Sequence, residues 1–283
     1  MRTATILLRA LLVVATVFLT VTESAQAQFG KNKVQYEEFE WKYVQSKHLD
    51  VYYHQGGEYL AQYTAVIAER ELKKLEQNFN YRINQRVAII VYSSHNQFQQ
   101  TNVISSFLPE GVGGVTELYK NRVVLPYEGK WDQFRHVIGH ELVHAFLNDM
   151  FYGGSIQSII SNNIRTEIPL WMNEGLAEFE SLNGYDVQTD MFMRDITISE
   201  FLPSLEGISG YMSYRGGQAF YWYVSEKYGR GKVGDLINRL RSTGTVDAAF
   251  RSSFNGMNVE EFSKQWEKDM KKIYWPDIAK YEA

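Results

Sequence analysis

The 283-residue chain contains no cysteine. That excludes disulfides, thiolate metal ligands and a lipid attached through a processed cysteine. It has no large surplus of charge either, with 29 Lys and Arg against 33 Asp and Glu for a net −4. Nothing in that balance points to nucleic acid or an anionic membrane surface as a partner. No internal repeat or low-complexity linker divides it. Histidine is scarce, with six residues, and none lies beyond His144.

What is present begins with a processing pattern. Arg2 and Arg9 precede the apolar run Ala10–Val21, which is followed by Ala25-Gln26-Ala27. This reads as a secretory signal peptide, residues 1–27. The run is short for a bilayer span, so an uncleaved anchor is the lesser alternative, and no stable membrane insertion is expected after cleavage. Processing removes two arginines and one glutamate, leaving 27 basic and 32 acidic side chains, a net −5. An exported chain without cysteine suits a bacterial periplasm, or secretion, better than a disulfide-stapled extracellular domain. The remaining residues, 28–283, are numerous and apolar enough for one domain with a sizeable core.

The most informative stretch is His140-Glu141-Leu142-Val143-His144. From Trp131 to Phe151 there is no proline and Gly139 is the sole glycine, while Phe134, Val137, Leu142, Val143, Phe146 and Leu147 recur at helical spacing. The spacing predicts a largely buried helix. Residues four apart share a helix face, so His140 and His144 can bind one zinc ion, and Glu141 then points at a water on it. The competing reading is a pair of packed histidines, but a glutamate beside a buried histidine is costly unless it is used.

Catalytic zinc keeps three protein ligands and leaves a place for water. An H-E-x-x-H-x-x-G-x-x-H arrangement needs glycine at 147 and histidine at 150, where Leu147 and Met150 stand. The third ligand is therefore a carboxylate. Asp149 is too close along the same helix. Glu174 and Glu178, four apart on a second expected helix within Pro169–Phe179, are the candidates. One can ligate while the other hydrogen-bonds the outer nitrogen of a ligand histidine. His136 extends the histidine stripe, but Val137 after it leaves no base there; it reads as packed or as a neighbour of the site. His48, His54 and His95 have no partners at ligand spacing.

H-E-L-V-H followed by W-M-N-E-G-L-A-E resembles the gluzincin branch of zinc peptidases, which includes thermolysin and aminopeptidase N. The resemblance covers roughly residues 86 to 270 and is strongest over these motifs. It implies an α+β, zincin-like fold, with a mixed β/α amino-terminal lobe (28–130), an all-helical carboxy-terminal lobe (131–283) and one zinc in the cleft between them. It also implies peptide or protein substrates. The glutamate of W-x-N-E-G is the third ligand in that family, which selects Glu174 and leaves Glu178 to orient a histidine. Tyr214-Arg215-Gly216-Gly217 is similar to the family's Y-E-K-G segment, whose tyrosine stabilises the oxyanion. Tyr214 takes that place, with Tyr211 as the fallback.

The aminopeptidases hold the substrate's amine with a G-x-M-E-N loop. The nearest segment here is Gly114-Val115-Thr116-Glu117-Leu118, lacking the methionine and asparagine. Glu117 is a candidate amine anchor, but the departure favours an endopeptidase. A different class stays open. The chain also resembles the peptidase-like amino-terminal region of bacterial envelope proteins that continue into a β-propeller, which implies a weakly active binding module with envelope partners.

The expected elements fit that architecture. Trp41–Ser46 and His48–His54 read as a hairpin, Glu58–Phe79 as a helix and Arg86–Tyr92 as a buried strand. Val115–Tyr119 and Arg122–Pro126 read as a second hairpin. Helices follow near 213–228, 232–242, 246–253 and 259–274. An extended substrate can add as a strand to the rim of such a cleft, and Val123, Val124 and Leu125 are the expected edge.

Overall fold

Short, β-branched and tyrosine-rich segments in the first part of the chain pair into one five-stranded sheet. In the computed structural model, which describes residues 33–118, 120–153 and 167–278, these are β1 (Lys42–Gln45), β2 (Leu49–Tyr53), β3 (Val87–Tyr92), β4 (Val115–Glu117) and β5 (Arg122–Pro126). The expected signal peptide (residues 1–27) and Tyr119 lie outside the described residues. The strand order is β1-β2-β3-β5-β4. The outer pairs β1–β2 and β4–β5 are antiparallel hairpins, and β2–β3 and β3–β5 are parallel.

The parallel pairs need crossovers, and these bring helices onto the sheet. Between β2 and β3 runs α1 (Glu58–Phe79), whose buried side carries Leu60, Ala61, Ala65, Ile67, Ala68, Leu72, Leu75 and Phe79. It ends on Asn80, whose left-handed φ of 48° suits asparagine. A short helix, α2 (His95–Phe98), follows β3.

Val123 and Leu125 of β5 face the main core, whereas Val124 faces a smaller cluster with Tyr92, Phe98 and Leu108 on the other side of the sheet. A strand buried on both faces reads as a continuous apolar run. This corrects the expected substrate edge. Val123, Val124 and Leu125 belong to an interior strand with β3 on one side and β4 on the other, and they are 1%, 0% and 0% exposed. The edge beside the site is β4.

Downstream the chain is helical among the described residues: α3 (Trp131–Tyr152), α4 (Leu170–Ser181), α5 (Val187–Ile198), a 3₁₀ turn (Leu205–Gly207), α6 (Met212–Tyr228), α7 (Gly231–Thr243), α8 (Val246–Ser253) and α9 (Val259–Ile278). None of the described helices is long and apolar enough to cross a membrane. The fold is α+β, a mixed five-stranded sheet followed by helices. One hydrophobic cluster runs from Leu49 and Val51 in the sheet through Phe146 of α3 to Phe220 of α6 and Trp266 of α9. Helix α5 has no counterpart among the expected segments. Five of its twelve residues are β-branched, which lowers helix propensity. Asp186 caps it by accepting from the Thr189 N–H at 2.6 Å, and burial of Thr189, Met193 and Thr197 holds it.

A very close helix crossing joins two glycines of the motifs: Gly175 of N-E-G on α4 and Gly217 of Y-x-x-G on α6. A Cβ on Gly175 would lie 2.3 Å from the Gly217 carbonyl carbon, and one on Gly217 would lie 2.2 Å from the Trp171 carbonyl oxygen. Buried Tyr221 locks the pair by donating to the Met172 carbonyl at 3.1 Å. Gly217→Ala must push two helix backbones apart, so a loss of about 3 kcal/mol or more is expected. Gly231→Ala, which meets nothing within 4 Å, is the control. Urea unfolding of both variants checks this, and equal midpoints would contradict it.

Candidate metal centre

Helix α3 is buried nearly all round because α1, α4 and β5 surround it, and it places His140, Glu141 and His144 under the rim strand β4. Antiparallel to its histidines, α4 carries Glu174 and Glu178. The acidic side of α4 is fixed from below by Glu180, which is 2% exposed. Asn78 of α1 donates to its Oε2 at 2.8 Å and Arg230 at 2.9 Å, while Lys74 donates to its backbone carbonyl. That network ties α4 to α1 and to the start of α7.

His140, His144 and Glu174 converge. Glu174 Oε2 lies 3.1 Å from His140 Nε2 and 3.3 Å from His144 Nε2. Ligand atoms about 2.0–2.1 Å from one tetrahedral zinc stand about 3.3 Å apart. The two distances therefore fit a shared cation, and two imidazoles with one carboxylate are a ligand set that leaves a fourth position open. Both outer nitrogens have partners. His140 Nδ1 is 3.0 Å from Glu178 Oε1, and His144 Nδ1 is 3.1 Å from Asn173 Oδ1. Such partners orient the rings and select the tautomer that presents Nε2.

The electrostatics favour positive charge. Burial works against protonation of His140, but its hydrogen bonds to Glu174 and Glu178 and the charge of Glu141 outweigh it, and its pKa is pushed up to about 10. Burial raises Glu174, but hydrogen bonds from His140 and His144 bring it down to about 2. Glu178 is held well below the usual carboxylate range, with burial opposed by His136 and His140. The field that draws a proton to His140 equally draws a metal cation.

Glu141 is 6% exposed. Thr116 of β4 holds it, with Oγ1 2.7 Å from Glu141 Oε2 and 3.0 Å from the Glu141 carbonyl oxygen. Gly114 gives it room, since a Cβ there would lie 2.8 Å from Glu141 Cγ. Tyr214 stacks on the His140 ring at 6.1 Å between centroids. Burial first, then the charges of Glu174, Glu141 and Glu178, push its pKa up to about 12, so it stays a proton donor. Tyr211 is 60% exposed and its hydroxyl accepts from Arg215 Nε at 2.8 Å. Arg215 also reaches Glu178 Oε2 at 3.4 Å and Thr189 Oγ1 at 3.1 Å.

His140, Glu141, Glu178, Tyr214 and Arg215 line a cleft of about 510 Å³, while His144 and Glu174 lie outside its lining. One wall is the Gly111–Gly114 segment, the floor is His136, Val137, His140 and Glu141, and the far wall is Glu178 with Tyr211, Tyr214 and Arg215. Depressions of about 610 Å³ along α9 and about 530 Å³ beside α2 bring together no metal-ligating triad among the described residues. Glu117 does not line the cleft; Arg122 Nε donates to its carboxylate at 2.6 Å. Val123, Val124 and Leu125 stay in the sheet interior. The sequence reading passed over Asn173, Thr116 and Arg215. Asn173 and Arg215 lie inside the quoted motifs, and Thr116 stands where the aminopeptidase loop has methionine.

Residues 67–272 match the family model of the Peptidase MA superfamily, and the chain belongs to that superfamily. No curated protein matches it in sequence. Among solved structures, it is similar to a crystal structure of a two-domain M1 zinc metallopeptidase mutant bound to L-arginine, with 15% identity and a TM-score of 0.42. The match covers 82% of this chain and 51% of the other, so the chain spans about half the length of that protein.

Proposed function

We propose that the protein is a zinc-dependent endopeptidase. The observation that carries this reading is the convergence of His140 Nε2, His144 Nε2 and Glu174 Oε2, with His140 lining the same cleft as Glu141 and Tyr214. Zinc held there would polarise the scissile carbonyl and make a neighbouring water more acidic. Glu141, fixed by Thr116, takes the proton of the attacking water and delivers it to the leaving amine. Tyr214 donates its hydroxyl hydrogen to the oxygen on which negative charge develops. Glu178 and Asn173 keep the two imidazoles in register. Glu117, held by Arg122 away from the cleft, supports an endopeptidase over an enzyme that grips a free amine. The processing pattern of residues 1–27 supports action on peptides or proteins outside the cytoplasm.

Mature protein should carry one zinc and degrade casein, losing activity with a chelator and regaining it with added zinc. Zinc-free protein that digests casein at the full rate would refute the proposal. Tyr214→Phe should lower kcat by about 10²–10³-fold with little change in KM, as for loss of one oxyanion donor. Tyr211→Phe should stay near wild type. The reverse order would move the donor to Tyr211.

A further inference from the structure

The metal cleft continues past Gln133. A small pocket adjoins it and shares Gly113, Gln133 and Val137 with the cleft lining. That pocket shares Glu128 with the depression of about 530 Å³ beside α2. The three form one track along the start of α3. Gln133 precedes His140 by about 10.5 Å along the helix axis, at 1.5 Å per residue. Its Nε2 donates to Glu128 Oε2 at 3.4 Å. An extended peptide advances about 3.3 Å per residue, so a substrate residue about three to five positions from the scissile bond reaches Glu128.

Glu128 is the acidic residue of the depression beside α2, and neither lysine nor arginine lines it. Its carboxylate is held in place by His95, whose Nδ1 lies 2.9 Å from Oε1. Each carboxylate oxygen can accept more than one hydrogen bond, so capacity remains for a further donor. The Glu128 side chain is 33% exposed and its charge faces solvent. Ser93, Asn96 and the Tyr127 ring stand around it. Tyr127 packs on Trp131 at 4.6 Å between centroids, an apolar wall for the stem of a long side chain. A second carboxylate adds to the field. Gln97 accepts from the Ser93 N–H at 3.2 Å and donates to Glu37 Oε2 at 2.9 Å, which holds Glu37 one side chain from the rim. Lys130 opposes both charges, but it lines the small pocket and not the depression.

We propose that this depression is a subsite for a lysine or arginine side chain of the substrate, with Glu128 as the residue that selects it. The proposal rests on the endopeptidase reading and names the sequences such an enzyme prefers. The ammonium or guanidinium donates to Glu128, the Ser93 hydroxyl and the Asn96 amide oxygen accept its other hydrogens, and Tyr127 covers the stem. The contact lies far from the reacting atoms and is the same in ground and transition states. It therefore lowers KM for these sequences and does not raise kcat.

The test begins with casein digested by the mature, zinc-loaded protein and the fragments sequenced by mass spectrometry. Lysine and arginine should be enriched at one position about three to five residues from the cut, the reach set by the peptide rise. Two otherwise identical peptides with lysine or glutamine at that position should then differ about fivefold in KM, the scale of a partly exposed ion pair. Glu128→Gln, which keeps an acceptor for His95, should bring that ratio close to one. Glu128→Lys should reverse it in favour of a peptide with glutamate there. Two replacements of different charge guard against a folding defect in either, and zinc content is measured on both. A wild type that cuts casein without the enrichment overturns the subsite and leaves the proposed function standing. A lysine preference that survives both substitutions also overturns it, since the selecting group then lies elsewhere. A wild type that cuts no peptide overturns both.

Discussion

Glu141→Gln is expected to leave the protein folded and zinc-loaded while cutting peptide hydrolysis by about 10²–10⁴-fold, the usual contribution of a positioned general base. The amide fits the same space and can still accept the hydrogen bond from Thr116 Oγ1, which is 2.7 Å from Glu141 Oε2. It cannot accept the proton of a water. Glu141 is not among the three residues that converge on the cation position, so zinc content should not change. The separation of the two readouts is the point of the experiment. If Glu141→Gln loses zinc along with activity, Glu141 supports the metal and not the chemistry. If it keeps both, the base lies elsewhere, and Glu178, the other carboxylate lining the cleft, is the next to replace.

Thr116 and Gly114 show why the sequence reveals the reactive groups more readily than what holds them. The His140–Glu141–His144 spacing is local: one helix places all three, and helical periodicity is visible in a single chain. Glu174 and Glu178 follow from the same rule on α4. Helix α1 matched its expected bounds because its apolar face and its asparagine stop are written in neighbouring residues. The grip of Thr116 on Glu141 spans 25 residues and depends on strand order. Strand order is also where the reading of Val123, Val124 and Leu125 failed. An apolar run looks the same whether its strand is at a rim or between two neighbours, and β4, shorter and half-exposed, was the rim. The Gly175–Gly217 contact is of the same kind. Each glycine is visible in its motif, but that they touch each other is a property of two helices crossing. Helix α5 was hidden for the opposite reason, since its local preferences are poor and packing decides it.

Glu174→Gln and Glu178→Gln are expected to separate by their effect on zinc affinity. Both glutamates are largely buried on one face of α4, with side chains 13% and 8% exposed, so burial does not distinguish them. The nitrogens they face do. Glu174 Oε2 meets the Nε2 atoms of two histidines, at 3.1 and 3.3 Å. Glu178 Oε1 meets His140 on its other nitrogen, Nδ1, at 3.0 Å. A metal bound through Nε2 therefore has Glu174 beside it and Glu178 behind the ring. Glu178→Gln keeps an oxygen that can accept the Nδ1 hydrogen bond, and loses the charge that strengthens it. Zinc binding should weaken by about 10–100-fold, the usual cost of disturbing a ligand's hydrogen-bond partner. Glu174→Gln removes a charged ligand from a three-ligand site and should cost considerably more. Chelator competition on the two variants in one buffer gives the comparison. Equal losses would mean that the charge of the acidic face, and not direct ligation, holds the metal. A larger loss for Glu178→Gln would put the principal zinc on His136, His140 and Glu178, one turn from where His140, His144 and Glu174 converge.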